Sequence, residues 1–317
     1  MGVRIMDFRW LNEKAEALAD FIYPPATYCI ACGNFIDSRR EYLLCDHCIR
    51  HIDWGLVELD IAEQSRQMGW EIPLDSVRAC YGYGLYGRRV VFELKYNGHS
   101  YVARVLGRML ADRAAKDPAA ADIIACDFVT GVPINEQKVK ARGFNQAEKI
   151  AHYFCKETGM RHVSDLLIRQ KATTPQRALS PHERYANLAG AFCLNEKVAA
   201  RTQAIFGKEI GKNPTENAKE ISKNYKNREN QENQGKDFSD LLNIENEGFQ
   251  YPKGEIKKLD IENRPLEGMK ILLIDDIYTT GATASHCARI LRDAGAAEIH
   301  MLVAAAGRDK SQNQEKI

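Results

Sequence analysis

The stretch at residues 271–283, ILLIDDIYTTGAT, constrains this chain more than any other. Four apolar residues without alternation, Ile271 to Ile274, predict a strand covered on both faces, as in a parallel sheet with helices on each side. The run ends in two adjacent carboxylates, Asp275 and Asp276, followed by a small-residue loop, Thr279-Thr280-Gly281-Ala282-Thr283. Ala284, Cys287, Ala288 and Leu291 then recur at helical spacing, and Gly295 supplies a stop. Small residues at a helix N-terminus offer backbone N–H groups and hydroxyls to an anion. Gly281 lets the backbone approach that anion or take positive φ. The neighbouring carboxylates accept hydrogen bonds from vicinal hydroxyls of a sugar. Phosphate donors and hydroxyl acceptors side by side suit a ribose 5-phosphate.

The same pattern fits a plain strand–turn–helix joint of a doubly wound fold. It also resembles a Walker B strand, which needs a P-loop partner. The nearest candidate, Gly207…Gly211-Lys212, has the wrong spacing and Asn213 where Ser or Thr is required. DDIYTTGAT more closely resembles the 5-phosphoribosyl 1-diphosphate (PRPP) motif of type I phosphoribosyltransferases. That resemblance implies that Asp275 and Asp276 hold the ribose 2- and 3-hydroxyls. It places the 5-phosphate on Thr279, Thr280, Gly281, Ala282 and Thr283.

At 317 residues and 44% hydrophobic, the chain can bury one large core or two modest ones. With a net charge of +1, a nucleic-acid or membrane partner would have to use a local patch. No apolar run approaches a membrane span, and the start lacks a signal-peptide core, so a cytoplasmic protein is expected. Of nine cysteines, five (Cys80, Cys126, Cys155, Cys193, Cys287) are scattered among apolar neighbours and read as core residues. The other four form two C-x2-C pairs, Cys29/Cys32 and Cys45/Cys48, twelve residues apart. Four thiolates so spaced can surround a structural zinc ion, with Gly33 in the first turn. His47 and His51 are alternative ligands, but the repeated knuckle favours the four cysteines.

Domain organisation follows from these segments: an N-terminal helix (1–25), a zinc module (26–56), and an α/β domain (75–198 and 266–308) interrupted by an insertion (199–265). A packing helix is predicted over residues 8–22, ended by Pro24-Pro25. Residues 77–85 read as a strand, and 88–95 and 102–115 as helices separated by Tyr96-Asn97-Gly98. Arg88, Arg89, Lys95, Arg104 and Arg108 lie there, either as solvated faces or as a landing place for an anionic surface. Lys95, just before the break, is the most interesting. Residues 127–133, DFVTGVP, read as the first parallel strand, followed by Lys138, Lys140, Arg142 and a helix over 145–157. Residues 164–169 read as the second strand and 191–194 as a further one. Ser180, Pro181 and Glu183 form a capping-box signature. From about 199 to 268 the chain is rich in Asn, Lys, Glu and Gln, which predicts a mostly disordered insertion, with a short helix near 239–244.

The zinc pairs, VP…RGFNQ, TTPQ…LSPHERYANLAGAF and DDIYTTGAT, in that order, resemble the ComF family (competence protein F, GntX-like). The resemblance covers almost the entire chain outside the insertion. It implies a type I phosphoribosyltransferase-like sheet with a small N-terminal four-Cys zinc module. It implies pyrophosphate contact by Arg142, Asn145 and Gln146. It implies a mobile loop carrying Thr174, Gln176, Arg184 and Asn187, with Lys95 a further candidate. Magnesium would accompany PRPP, and Asp275, Asp276 and Arg142 would carry the catalysis of a glycosyltransferase-class enzyme. The family's association with natural competence and DNA uptake brings single-stranded DNA and the competence helicase machinery in as partners; nucleotide salvage is the other setting. Two non-catalytic readings stand beside it: a PRPP-sensing regulator, or a DNA-handling accessory protein. The latter would use Tyr81, Tyr83, Tyr86, Arg88, Arg89, Lys95 and Tyr96 to stack bases and neutralise phosphates.

Overall fold

In the computed structural model of the protein, the structure describes residues 27–37, 40, 42–96, 101–171, 173, 179–207 and 264–307. The helix expected over 8–22, Thr174, Gln176, the segment 239–244 and most of the expected insertion lie outside the described residues.

The apolar run 271–274 forms the buried part of strand β6 (Lys270–Tyr278). It lies between β7 and β3 in a five-stranded sheet of order β1-β2-β7-β6-β3, where β1 is Trp54–Glu58, β2 Ser76–Gly82, β3 Phe128–Gly131 and β7 Glu298–Ala306. β2, β7, β6 and β3 run parallel, and β1 is an antiparallel edge. Because side chains alternate along a strand, β6 feeds two cores. Leu272 and Ile274 face the helices Leu85–Tyr96, Tyr101–Lys116 and Gln146–Thr158. Ile271 and Leu273 face the helix Ala282–Asp293 and the helix Glu196–Phe206. Burial on both faces explains the unbroken apolar run. The architecture is a mixed α/β, mostly parallel sheet flanked by helices.

Three boundaries differ from the sequence expectation. The strand predicted over 77–85 ends at Gly82, and Leu85 already begins the following helix. Strands β4 (Leu167–Arg169) and β5 (Phe192–Leu194) pair antiparallel with each other, outside the main sheet. Their Leu167, Phe192 and Leu194 cover the core on the Ala282–Asp293 side. The insertion expected from residue 199 starts later, because Glu196–Phe206 is a helix capped by Asn195. Ala199, Thr202 and Phe206 recur at helical spacing and are buried, with the Phe206 ring 5.6 Å from that of Phe128. A polar composition masked that short periodic stripe.

Candidate functional site

β6 carries Asp275 and Asp276 to its carboxyl end, the side on which open parallel sheets present ligand sites. The pleat separates the two side chains. Asp276 is buried, and its Oδ1 lies 2.9 Å from Lys95 Nζ, a residue of the Leu85–Tyr96 helix. Asp275 keeps partial exposure and accepts the Asp276 backbone N–H at Oδ1, 2.8 Å away. Asp275 lines an open concavity together with Thr279, Thr280, Gly281, Ala282 and Thr283; Asp276 does not. Surrounding protein and the Asp276 charge push the Asp275 carboxyl up to about 8, with Lys95 pulling the other way. Burial alone would lower Lys95, but the Asp276 charge and hydrogen bond carry it above the usual lysine value.

The turn after β6 is built from protein contacts. Gly281 has φ +73°, and a Cβ there would meet Tyr278 Oη at 2.6 Å and Ile72 Cδ1 at 2.8 Å. Only glycine satisfies both demands. No side chain among the described residues caps the helix that starts at Ala282. Its first turn lines the concavity, with the unspent N–H groups that helix N-termini carry. Gln64, on the helix Ile61–Met68, fastens the loop from the far side: its Nε2 donates to the Thr279 carbonyl (2.8 Å) and its Oε1 accepts from Tyr278 Oη (2.6 Å).

Cations surround the acidic pair. Arg142 ends the helix Glu136–Arg142, donates from Nη1 to Gln146 Oε1 (2.9 Å) and lies 5.6 Å from the Tyr96 ring centroid. Gln146 is 1% exposed and its Nε2 has no hydrogen-bond partner among the described residues. Asn145 is committed to the backbone, donating to the Val132 carbonyl and capping the helix through Ala147 N–H. Lys138 is held below the usual lysine value by burial and by the charges of Arg169, Arg142 and Lys95. Arg169 is lowered by burial, donates from Nη2 to Thr173 Oγ1, has no partner at its buried Nε among the described residues, and its charge reaches Asp275. Arg184 donates from Nε to the Leu179 carbonyl (2.9 Å) on the capping-box helix Pro181–Asn187. That helix is clamped by a ring stack, Trp70 on Tyr185 and Tyr185 on His286, with centroids 4.6 and 4.5 Å apart.

Of the residues expected from the sequence, Asp275, Asp276, the loop, Arg142 and Lys95 lie together at the carboxyl end of β6. Lys138, expected after the first parallel strand, stands on the helix Glu136–Arg142. Gln64 and Arg169 were missed; neither stands in a motif, and both reach the site through tertiary placement. Tyr81, expected to stack on bases, is instead a fully buried core ring.

The four cysteines Cys29, Cys32, Cys45 and Cys48 converge with all sulfurs within 4.8 Å of one another, and Cys32 Sγ is 3.6 Å from Cys45 Sγ. Zn–S bonds of about 2.3 Å in a tetrahedron give S···S edges of about 3.8 Å, so the set fits structural zinc. Gly33 N–H donates to the Cys29 carbonyl (2.8 Å) at φ +75°, closing the first knuckle. The second opens the helix Asp46–His51, where Cys45 Sγ accepts the Cys48 N–H. His47 bonds Tyr86 Oη (2.8 Å) and His51 bonds the His47 carbonyl (2.7 Å), so both imidazoles are engaged outside the thiol cluster.

These features define a mixed α/β protein with a four-cysteine centre and an acidic, loop-lined site at the carboxyl end of its sheet. Among known proteins, the chain is 27% identical over 116 residues to the DNA utilization protein YhgH of Escherichia coli K12, covering 37% of this chain and 51% of that one. It is 29% identical over 105 residues to YhgH of Salmonella typhi (33% and 46%). It is 55% identical over 63 residues to competence protein ComFC of Bacillus subtilis (18% and 26%). The chain thus spans about half the length, or less, of these curated relatives. No protein-family model matches it. The relatives support a ComF-like relationship. No helix among the described residues is long and apolar enough to cross a membrane.

Proposed function

We propose that this chain is a phosphoribosyltransferase-like protein that binds PRPP with magnesium at the β6 site and serves DNA uptake or utilisation. The observation that carries the reading is one continuous segment: strand β6 carries Asp275 near its carboxyl end, and a helix with no side-chain cap among the described residues starts after Gly281 beside the same concavity. A carboxylate for sugar hydroxyls and backbone donors for a phosphate lie within one ligand's reach. The names of the relatives, ComFC and YhgH, support the setting in competence and DNA utilisation.

On this reading Thr279 to Thr283 hold the 5-phosphate and Asp275 holds a ribose hydroxyl. Arg142, tethered by Gln146, faces the diphosphate together with Lys138 and Arg169. The donor set suits a magnesium ion carried on the ligand's own oxygens, because Asp276 is already engaged by Lys95. When bound, magnesium offsets the charge of the departing diphosphate. The chain's residues position the sugar and stabilise separated charge, with no covalent intermediate on the protein. The bond from the anomeric carbon to diphosphate breaks as an acceptor nitrogen lone pair forms its own bond to that carbon.

Thermal stabilisation by PRPP with magnesium tests binding, and pyrophosphate release against a panel of bases and amines tests turnover. Binding with release identifies a transferase; binding alone identifies a PRPP sensor. Absence of any stabilisation, or equal stabilisation of the Asp275→Asn/Asp276→Asn variant, refutes the site.

A second reading is favoured by the outer face of the Leu85–Tyr96 helix. Phe92 and Tyr96 are 51% and 49% exposed with ring centroids 4.7 Å apart, beside exposed Arg88 and Arg89. Exposed rings among arginines suit single-stranded DNA, as part of a competence helicase assembly. Salt-dependent binding of an oligonucleotide that drops in Phe92→Ala/Tyr96→Ala would support it, and no binding at low salt would end it.

A further inference from the structure

We infer that Lys95 is a tethered counter-cation: it reserves Asp276 for the protein and leaves Asp275 as the one carboxylate of the pair that meets a ligand. Two adjacent carboxylates at a strand end would ordinarily attract a divalent cation. Here Lys95 Nζ stands 2.9 Å from Asp276 Oδ1, with side-chain exposures of only 21% and 10%. The Asp276 backbone N–H is spent on Asp275 Oδ1, which orients that carboxylate. Asp275 lines the concavity and Asp276 does not.

The ammonium is tethered to a packed helix, unlike a solvated ion. Leu94, next to it, is 0% exposed, and Val90 and Val91 sit in the same core as the zinc-module residues Cys29, Leu43 and Leu44. The helix that carries Lys95 is also tied to the cysteine centre through His47 and Tyr86. Lys95 is therefore a positioning residue acting through Asp276. The acidic pair does not divide into two equal hydroxyl acceptors. It divides into one carboxylate turned to the ligand and one turned to the frame.

Manganese titration of the full-length, zinc-loaded chain, followed by the electron paramagnetic resonance of free Mn2+, tests this without any sugar ligand. Wild type is expected to bind no Mn2+ that Asp276→Asn would remove. Lys95→Met is expected to gain a site about tenfold or more tighter than any in wild type. The further change Asp276→Asn should abolish that site. Lys95→Gln, which keeps a polar end group, serves if Lys95→Met does not fold. Mn2+ bound by wild type through Asp276, which needs no variant to detect, overturns the inference; so does a folded Lys95 variant with no gain.

The ligand half of the inference rests on the phosphoribosyl reading. Asp275→Asn should weaken PRPP about tenfold more than Asp276→Asn does; equal losses overturn the division of roles. If wild type itself does not bind PRPP, the phosphoribosyl reading fails, while the Mn2+ result still decides the role of Lys95.

Discussion

Lys95 Nζ and Asp276 Oδ1, 2.9 Å apart and both largely buried, join the zinc-side helix to the strand that ends in the candidate site. A buried ion pair contributes little net stability against an apolar pair of the same shape, but losing one partner strands the other charge. Lys95→Met should destabilise the fold by about 3–5 kcal/mol, and Lys95→Met/Asp276→Asn should recover much of that. Urea unfolding of both variants checks the order; a single variant as stable as wild type would remove the pair from the account.

Gln64 makes two hydrogen bonds to the loop from a helix outside any motif. Each is worth about 1 kcal/mol. Gln64→Ala should lower stability by about 2 kcal/mol and weaken PRPP by about tenfold, since the Thr279 carbonyl and Tyr278 hydroxyl lose their partner. Calorimetric titration separates this from a folding defect. Unchanged affinity would show that the loop holds its shape unaided.

Asp275 gives stability a pH dependence of known sign. Desolvation by the surrounding protein and the Asp276 charge raise its pKa from 3.8 to about 8 in the folded chain. Between those values the folded chain holds more protons than the unfolded one, so this contribution falls as pH rises. It is fully present below 3.8 and lost once pH passes about 8. Asp275→Asn should therefore be more stable than wild type near pH 8, with the gap closing toward pH 4, while losing ligand binding. A gap that does not vary with pH would contradict the assignment.

The cysteine centre should carry about one zinc ion per chain in protein purified without added metal. Cys45→Ser/Cys48→Ser should lose it and lower the melting temperature, because Cys29, Leu43, Leu44 and Cys48 share a core with Val90, Val91 and Leu94. Elemental analysis beside calorimetry gives both readouts. A metal-free wild-type chain with four reactive thiols would refute the zinc assignment.

Local pattern carried far in this protein. The unalternating run 271–274, the helical stripe from Ala284 and the Ser180/Glu183 box all form as their spacing requires, because neighbours in sequence are neighbours in those elements. The C-x2-C pairs converge for the same reason, each being a tight local turn. Where a window of composition was read instead of a period, as at residues 199–206, a buried helix was taken for the start of the insertion.

The site's partners were another matter. Asp275 and Asp276 read as an equivalent pair from sequence alone, whereas the pleat and one lysine make them unequal. Gln64 and Thr279 lie 215 residues apart, and nothing near either one announces the bond between them. Such contacts depend on the strand order β1-β2-β7-β6-β3, which brings the N-terminal helices beside the end of β6. The strand, the loop and the cysteine knuckles are legible in the chain's own residues, since short-range geometry decides those. Which carboxylate faces solvent, which cation is already taken and what braces the loop were decided only by the tertiary structure, because burial and charge pairing arise from segments that meet only when the chain is folded.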